Sequence, residues 1–145
     1  MGKDVRNMVL VCVTDQESCG RLIRAGRNLA DMISAPLKVI SVRPRQSGNW
    51  FASDELEFLF NLAKQLDAEM IIRFHDYAAE AVADYIEKQD VQAVIVGEPP
   101  QAGQSIFITS LEERFFNLPI LCVKDDGQLC LAAAYRGNDA LDDFR

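Results

Sequence analysis

Residues 91–110 read V-Q-A-V-I-V-G-E-P-P-Q-A-G-Q-S-I-F-I-T-S, and their interpretation decides the fold. Ala93 to Val96 is an unbroken apolar run of the kind found in a strand buried on both faces. It ends at Gly97, passes through a Pro/Gly/Gln loop, and leads into a helical pattern expected from near Thr109. A strand and a glycine feeding a loop and a helix N-terminus is how many α/β proteins hold an anion. Bare amides and the positive end of the helix dipole meet there.

The same alternation repeats on either side. Met8 to Val13, M-V-L-V-C-V, predicts a second doubly buried strand, followed by the polar loop Thr14 to Ser18. From Arg21 to Ile33, Leu22, Gly26, Leu29 and Ile33 share one face. Arg21, Arg24, Arg27 and Asp31 fall away from it, and Ala35-Pro36 ends the helix. Leu37 to Val42 predicts another strand, and 43–51 is the most loop-like segment. Ser53 is a candidate cap for a helix carrying Leu56, Leu59, Phe60, Ala63 and Leu66. Glu69 to Phe74, with charges at Glu69 and Arg73, suits an edge strand. Asp76 is a candidate cap for a helix that turns Ala79, Val82 and Ile86 inward. Pro119 to Val123 predicts a fifth strand.

Strand and helix alternate throughout, which predicts an α/β fold: a single-domain, three-layer α/β/α sandwich around a parallel sheet. The strands at 8–13 and 93–97 are the most uniformly apolar and belong side by side in the centre. Right-handed crossovers then give five strands in the Rossmann-like order 3-2-1-4-5. The order reverses between strands one and four, and ligands of open α/β sheets bind beyond the strand ends at such a point. The α/β domain is expected over 1–124, with a C-terminal extension over 125–145. Asp125-Asp126-Gly127 is a turn. The residues beyond that turn read either as a frayed tail or as a sixth strand or dimer arm.

Composition narrows the function. The chain of 145 residues carries a net charge of −7, which disfavours nucleic acid and acidic membrane surfaces as partners. No run approaches the length of a membrane span, and the N-terminus lacks an apolar signal core. Cys12, Cys19, Cys122 and Cys130 have no metal-ligand spacing. Cys12 and Cys122 read as small buried hydrophobes in a reducing, cytoplasmic setting. His75 is the single histidine, too little for a triad or a zinc site, so no catalytic or metal residue is assigned. A receiver domain would need an aspartate ending strand three, where Arg73-Phe74-His75 stands. A pyrophosphate-releasing ATP enzyme would carry a Ser/Gly-rich loop in place of T-D-Q-E-S-C-G.

Taken together, V-L-V-C-V-T-D, G-R-L-I-R-A-G-R-N-L-A, A-V-I-V-G-E-P, T-S-L-E-E-R-F and N-L-P-I-L-C-V-K resemble the universal stress protein family over roughly 7–124. They look most like the version found inside potassium-sensor histidine kinases. The resemblance implies a cytoplasmic domain for stress survival and regulation rather than a defined reaction. It also implies a homodimer joined along the fifth strand, and in some members ATP. The family's ATP pattern is G-x2-G-x9-G followed by Ser or Thr. Gly97 supplies the first glycine, Pro100 stands at the second, and Ser110 or Thr109 at the third. A Cβ there opposes close approach of phosphate to backbone. Thr109 to Glu112 also reads as a capping box, with Glu112 taking amides a phosphate would want.

Other residues point toward retained binding. Asp15 sits one position later than the family's sugar-contacting aspartate. Arg43, Arg45 and Trp50 follow strand two beside the same crevice and are placed to clamp phosphate or stack on a base. Gln101, Gly103, Gln104 and Ser105 can form an anion nest. The candidate nucleotide-binding set is Thr14, Asp15, Ser41, Arg43, Gly97, Gly103, Ser105, Thr109 and Ser110, with ATP or AMP as the ligand class. Three readings stand: a regulatory domain with a degenerate crevice, an ATP- or AMP-binding stress protein, and a pure protein-interaction module.

Overall fold

A computed structural model describes residues 7–13, 19–45, 54–98 and 105–132 of the chain. In order, the elements are β1 (Met8–Val13), α1 (Cys19–Ile33), β2 (Leu37–Arg43), α2 (Asp54–Gln65), β3 (Glu69–Phe74) and α3 (Ala78–Lys88). They continue with β4 (Val91–Gly97), α4 (Ile106–Arg114), β5 (Ile120–Val123) and β6 (Leu129–Leu131). They build one sheet in the order β3-β2-β1-β4-β5-β6. The first five strands are parallel in the expected 3-2-1-4-5 arrangement, and β6 adds to β5 in antiparallel fashion. The sheet therefore has one more strand than the expected five.

Strand alternation sorts the core into two layers. On one face Val9, Val11, Leu37, Val39 and Ile95 pack against Leu22 and Ile23 of α1 and Leu59 and Leu62 of α2. On the other, Leu10, Ile40, Val94 and Val96 pack against Val82 and Ile86 of α3 and Ile108 and Leu111 of α4. Strand β1 and residues 93–96 of β4 are uniformly apolar because both of their faces are covered there. The edge strand β3 carries its charges at the rim, where Lys38 Nζ lies 3.4 Å from Glu69. Phe60 differs from its inward expectation: it is exposed, and Leu62 is buried in its place.

Local chemistry explains the boundaries. Helix α1 ends with Ser34 in the left-handed region (φ 57°), and the Ala35 amide reaches back to the Ala30 carbonyl at 2.9 Å. That is a Schellman-type stop one residue ahead of Pro36. The turn after β5 is closed by Gly127 at φ 86°, with Gly127 N–H donating to Lys124 O and Lys124 N–H donating to Gln128 O. This reversal lays β6 back along β5, so the polypeptide after 124 continues the sheet rather than fraying at once. The expected cap Ser53 lies outside the described residues. Asp76 does not cap α3: its carboxylate accepts from the Arg45 amide at 3.3 Å. His75 fixes the turn instead, its Nδ1 accepting from Tyr77 N–H at 2.9 Å.

Candidate functional site

The carboxyl ends of β1 and β4 lie side by side, with Val11 paired to Ile95. Continuing that register sets Gly97 level with Val13, and Val13 is paired to Ser41 on the other side. Ser41, Val13 and Gly97 thus form a row across β2, β1 and β4 at one height, on the face covered by α1 and α2. A Cβ placed on Gly97 would meet Leu22 Cδ2 at 3.9 Å, an ordinary contact. Packing does not demand glycine there, which leaves a bare backbone at the rim for some other reason.

Ser41 is 0% exposed and its Oγ has no hydrogen-bond partner among the described residues. An unsatisfied buried hydroxyl costs about 1–3 kcal/mol, so its presence on a face otherwise packed with apolar side chains calls for an explanation. One pleat further along, Arg43 is 8% exposed, and its carbonyl accepts the His75 amide at 2.9 Å. A guanidinium held this deep at the mouth of a parallel sheet is the one strong cation that the candidate set contains.

The remaining described candidates belong to the opposite layer. Helix α4 begins three residues earlier than the Thr109 start expected from its capping-box pattern. Ser105 is the N-cap, in extended conformation, and its Oγ accepts from Ile108 N–H at 3.2 Å. Its carbonyl takes the Thr109 amide at 3.0 Å. Thr109 and Ser110 are therefore half-buried within the first turns of the helix, and Glu112 lies in the helix body rather than at a box. The sheet edge thus divides the set, with Ser41, Arg43 and Gly97 on one side and Ser105, Thr109 and Ser110 on the other. Thr14, Asp15 and Gly103 lie outside the described residues, as do Trp50 and Pro100.

One cation at the rim is not evident from helical periodicity. Arg21, in the first turn of α1, belongs by spacing to the outward face, yet its Nε is buried and its Nη2 lies 3.8 Å from Asp125 in the turn after β5. Its place at the head of the helix that succeeds β1 was the available signal. Two cavities lie away from the crevice. One of about 480 Å³ opens at the amino end of β4, beside Asn7, Asp90 and Phe115. The other, of about 390 Å³, is bordered by Arg73, His75, Glu80, Asp84 and Arg114 along α3. Among the described residues there is no cluster of side chains able to hold a metal ion, and no helix long and apolar enough to cross a membrane.

No protein-family model and no curated protein sequence matches the chain. Solved structures do. A universal stress protein from Archaeoglobus fulgidus superposes with TM-score 0.61 at 16% identity, covering 83% of this chain and 95% of that one. The fold is the one that universal stress proteins have. The protein of that name from the same organism in complex with dAMP gives TM-score 0.60, also at 16% identity, covering 83% of this chain and 98% of that one. A universal stress protein in complex with cAMP gives TM-score 0.63, with the same identity and the same two coverages. At this identity the likeness establishes the mixed α/β, Rossmann-like architecture, and the function has to be argued from the site.

Proposed function

We propose that this chain is a non-catalytic regulatory domain of the universal stress protein type, whose nucleotide crevice no longer offers a full triphosphate cradle. The observation that carries the reading is the self-capped N-terminus of α4. Ser105 occupies the Ile108 amide, one of the few donors a phosphate would use at that helix end. Pro100 has no N–H to contribute, and neither Thr109 nor Ser110 is the glycine that would let phosphate approach the backbone. Glu98 adds negative charge where the strand ends. A signalling role, of the kind such domains have inside potassium-sensor histidine kinases, is part of this proposal.

A second reading has its own support. The buried Ser41 hydroxyl, the Arg43 guanidinium and bare Gly97 form a half-site that suits a nucleoside monophosphate, and solved neighbours hold dAMP and cAMP. In that reading Thr14, Asp15 and Gly103 complete the pocket, with Thr109 and Ser110 on its far wall. Thermal denaturation with ATP, AMP and cyclic AMP separates the two. A ligand at about 100 times its dissociation constant adds about 2.7 kcal/mol. The degenerate crevice predicts no shift with millimolar ATP. A shift with AMP but not ATP selects the monophosphate half-site, and a shift with ATP overturns the main reading.

The proposed unit of action is 1–124, with 125–145 as its extension, working in the cytoplasm, a setting that suits the four free thiols of the described residues. Homodimerisation is proposed at the β5 side of the sheet. There β6, a short strand, is outermost, so a partner would add to β6 or displace it from β5. Sedimentation at tens of micromolar should give a dimer mass, and a monomer mass would remove this part of the proposal.

A further inference from the structure

Strands β5 and β6 set Cys122 directly opposite Cys130 in antiparallel register. Both side chains enter the layer packed by α3 and α4, Cys122 fully buried and Cys130 half-buried. The Lys124 N–H···O Gln128 bond of 2.9 Å joins opposed residues, so the pair two steps further along, Cys122 and Cys130, is also a hydrogen-bonded pair. Such pairs hold their Cα atoms about 5.5 Å apart, inside the window of about 4.4–6.8 Å that a disulfide spans. Their Cβ atoms start about 4.5–5.5 Å apart, whereas a disulfide wants about 3.8 Å, so closure needs a small inward shift. A bridge formed this way is strained, and strained bridges are the readily reduced ones.

We propose that Cys122 and Cys130 are a reversible, peroxide-responsive dithiol that staples the terminal strand β6 to β5. Their surroundings set the order of events. Burial, then the neighbouring Cys130 and the Glu98 and Glu112 carboxylates, push the Cys122 thiol up to about 12, so it stays protonated. Cys130, nearer the surface on the edge strand, meets the oxidant first. Its sulfur attacks hydrogen peroxide: the O–O bond breaks, an S–O bond forms, and the thiol and hydroperoxide leave a sulfenic acid and one water. Cys122 sulfur then attacks the Cys130 sulfur. The S–S bond forms, the S–O bond breaks, and the departing hydroxyl leaves as a second water with the Cys122 proton. Two thiols and one peroxide thus become one disulfide and two waters. Cys12 lies in the same layer but on β1, separated from Cys122 by β4, so it has no facing partner.

The test uses the full chain, reduced and then exposed to hydrogen peroxide, with free thiols alkylated before peptide mapping without reductant. Trypsin cuts after Lys124, between the two cysteines, so the bridge holds two peptides together. The expected product is a monomer lighter by two hydrogens, linked between Cys122 and Cys130, with Cys12 and Cys19 still alkylated, and restored by dithiothreitol. In native exchange experiments the amides of Leu129 to Leu131 should exchange more slowly after oxidation than before. Cys130→Ser, at the half-exposed position, should fold normally and give no linked peptide. A linkage to Cys12 or Cys19, a bridge between chains, or stable over-oxidation of Cys130 with Cys122 still free would each overturn the proposal.

Discussion

Individual residues carry much of the account, and two glycines show how differently the same residue type is used. A Cβ on Gly26 would sit 2.5 Å from Val11 Cγ2 and 2.9 Å from Leu37 Cδ1, so α1 lies on β1 only because that Cβ is missing. Gly26→Ala should destabilise the domain by about 1–3 kcal/mol, read as a fall in the urea midpoint at unchanged slope. An unchanged midpoint would mean that the helix can lift without cost. Gly97 faces no such limit, its nearest neighbour being Leu22 at 3.9 Å. Gly97→Ala should leave the urea midpoint almost where it was. If the crevice keeps a nucleotide, the same change should weaken AMP binding by more than tenfold, because the Cβ stands where a ligand would approach the backbone. Sequence patterns cannot separate these two roles, since both positions read simply as glycine.

At the scale of elements, the alternation of apolar runs made the strands legible, and caps made the helix starts less so. β1 and β4 were evident because an unbroken apolar run has few other uses in a short segment. The start of α4 was misplaced because Ser105 and Thr109 both offer a hydroxyl ahead of apolar residues, and only the folded backbone decides which one is used. Asp76 misled in the same way, serving the Arg45 amide while His75 turned inward on its own loop. Ser105→Ala tests the cap. It should cost about 1 kcal/mol of stability and expose the Ile108 amide to faster hydrogen exchange. Equal exchange in both proteins would show that the Ser105 bond to Ile108 is not what protects this helix end.

For the whole molecule, the strand order does the positioning. The strand order reverses between β1 and β4, α1 and α4 cover opposite faces of the sheet, and the candidate residues divide between those faces accordingly. The sheet order was readable from hydrophobicity and crossover handedness. The added β6 stood only as one of two readings, because Leu129–Leu131 is too short to show a period and its pairing depends on the Gly127 turn folding back. The placement of the candidate residues was legible in part: Ser41, Arg43 and Gly97 fall on one face as strand alternation requires, whereas the ion pair of Arg21 with Asp125 links residues far apart in sequence. The proposed regulatory role rests on a crevice that cannot cradle a triphosphate. The decisive experiment is calorimetric titration of the full chain with ATP, after removal of any co-purified nucleotide. No saturable heat is expected up to millimolar ATP; a saturable isotherm with a micromolar dissociation constant, lost in Gly97→Ala, would overturn the proposal.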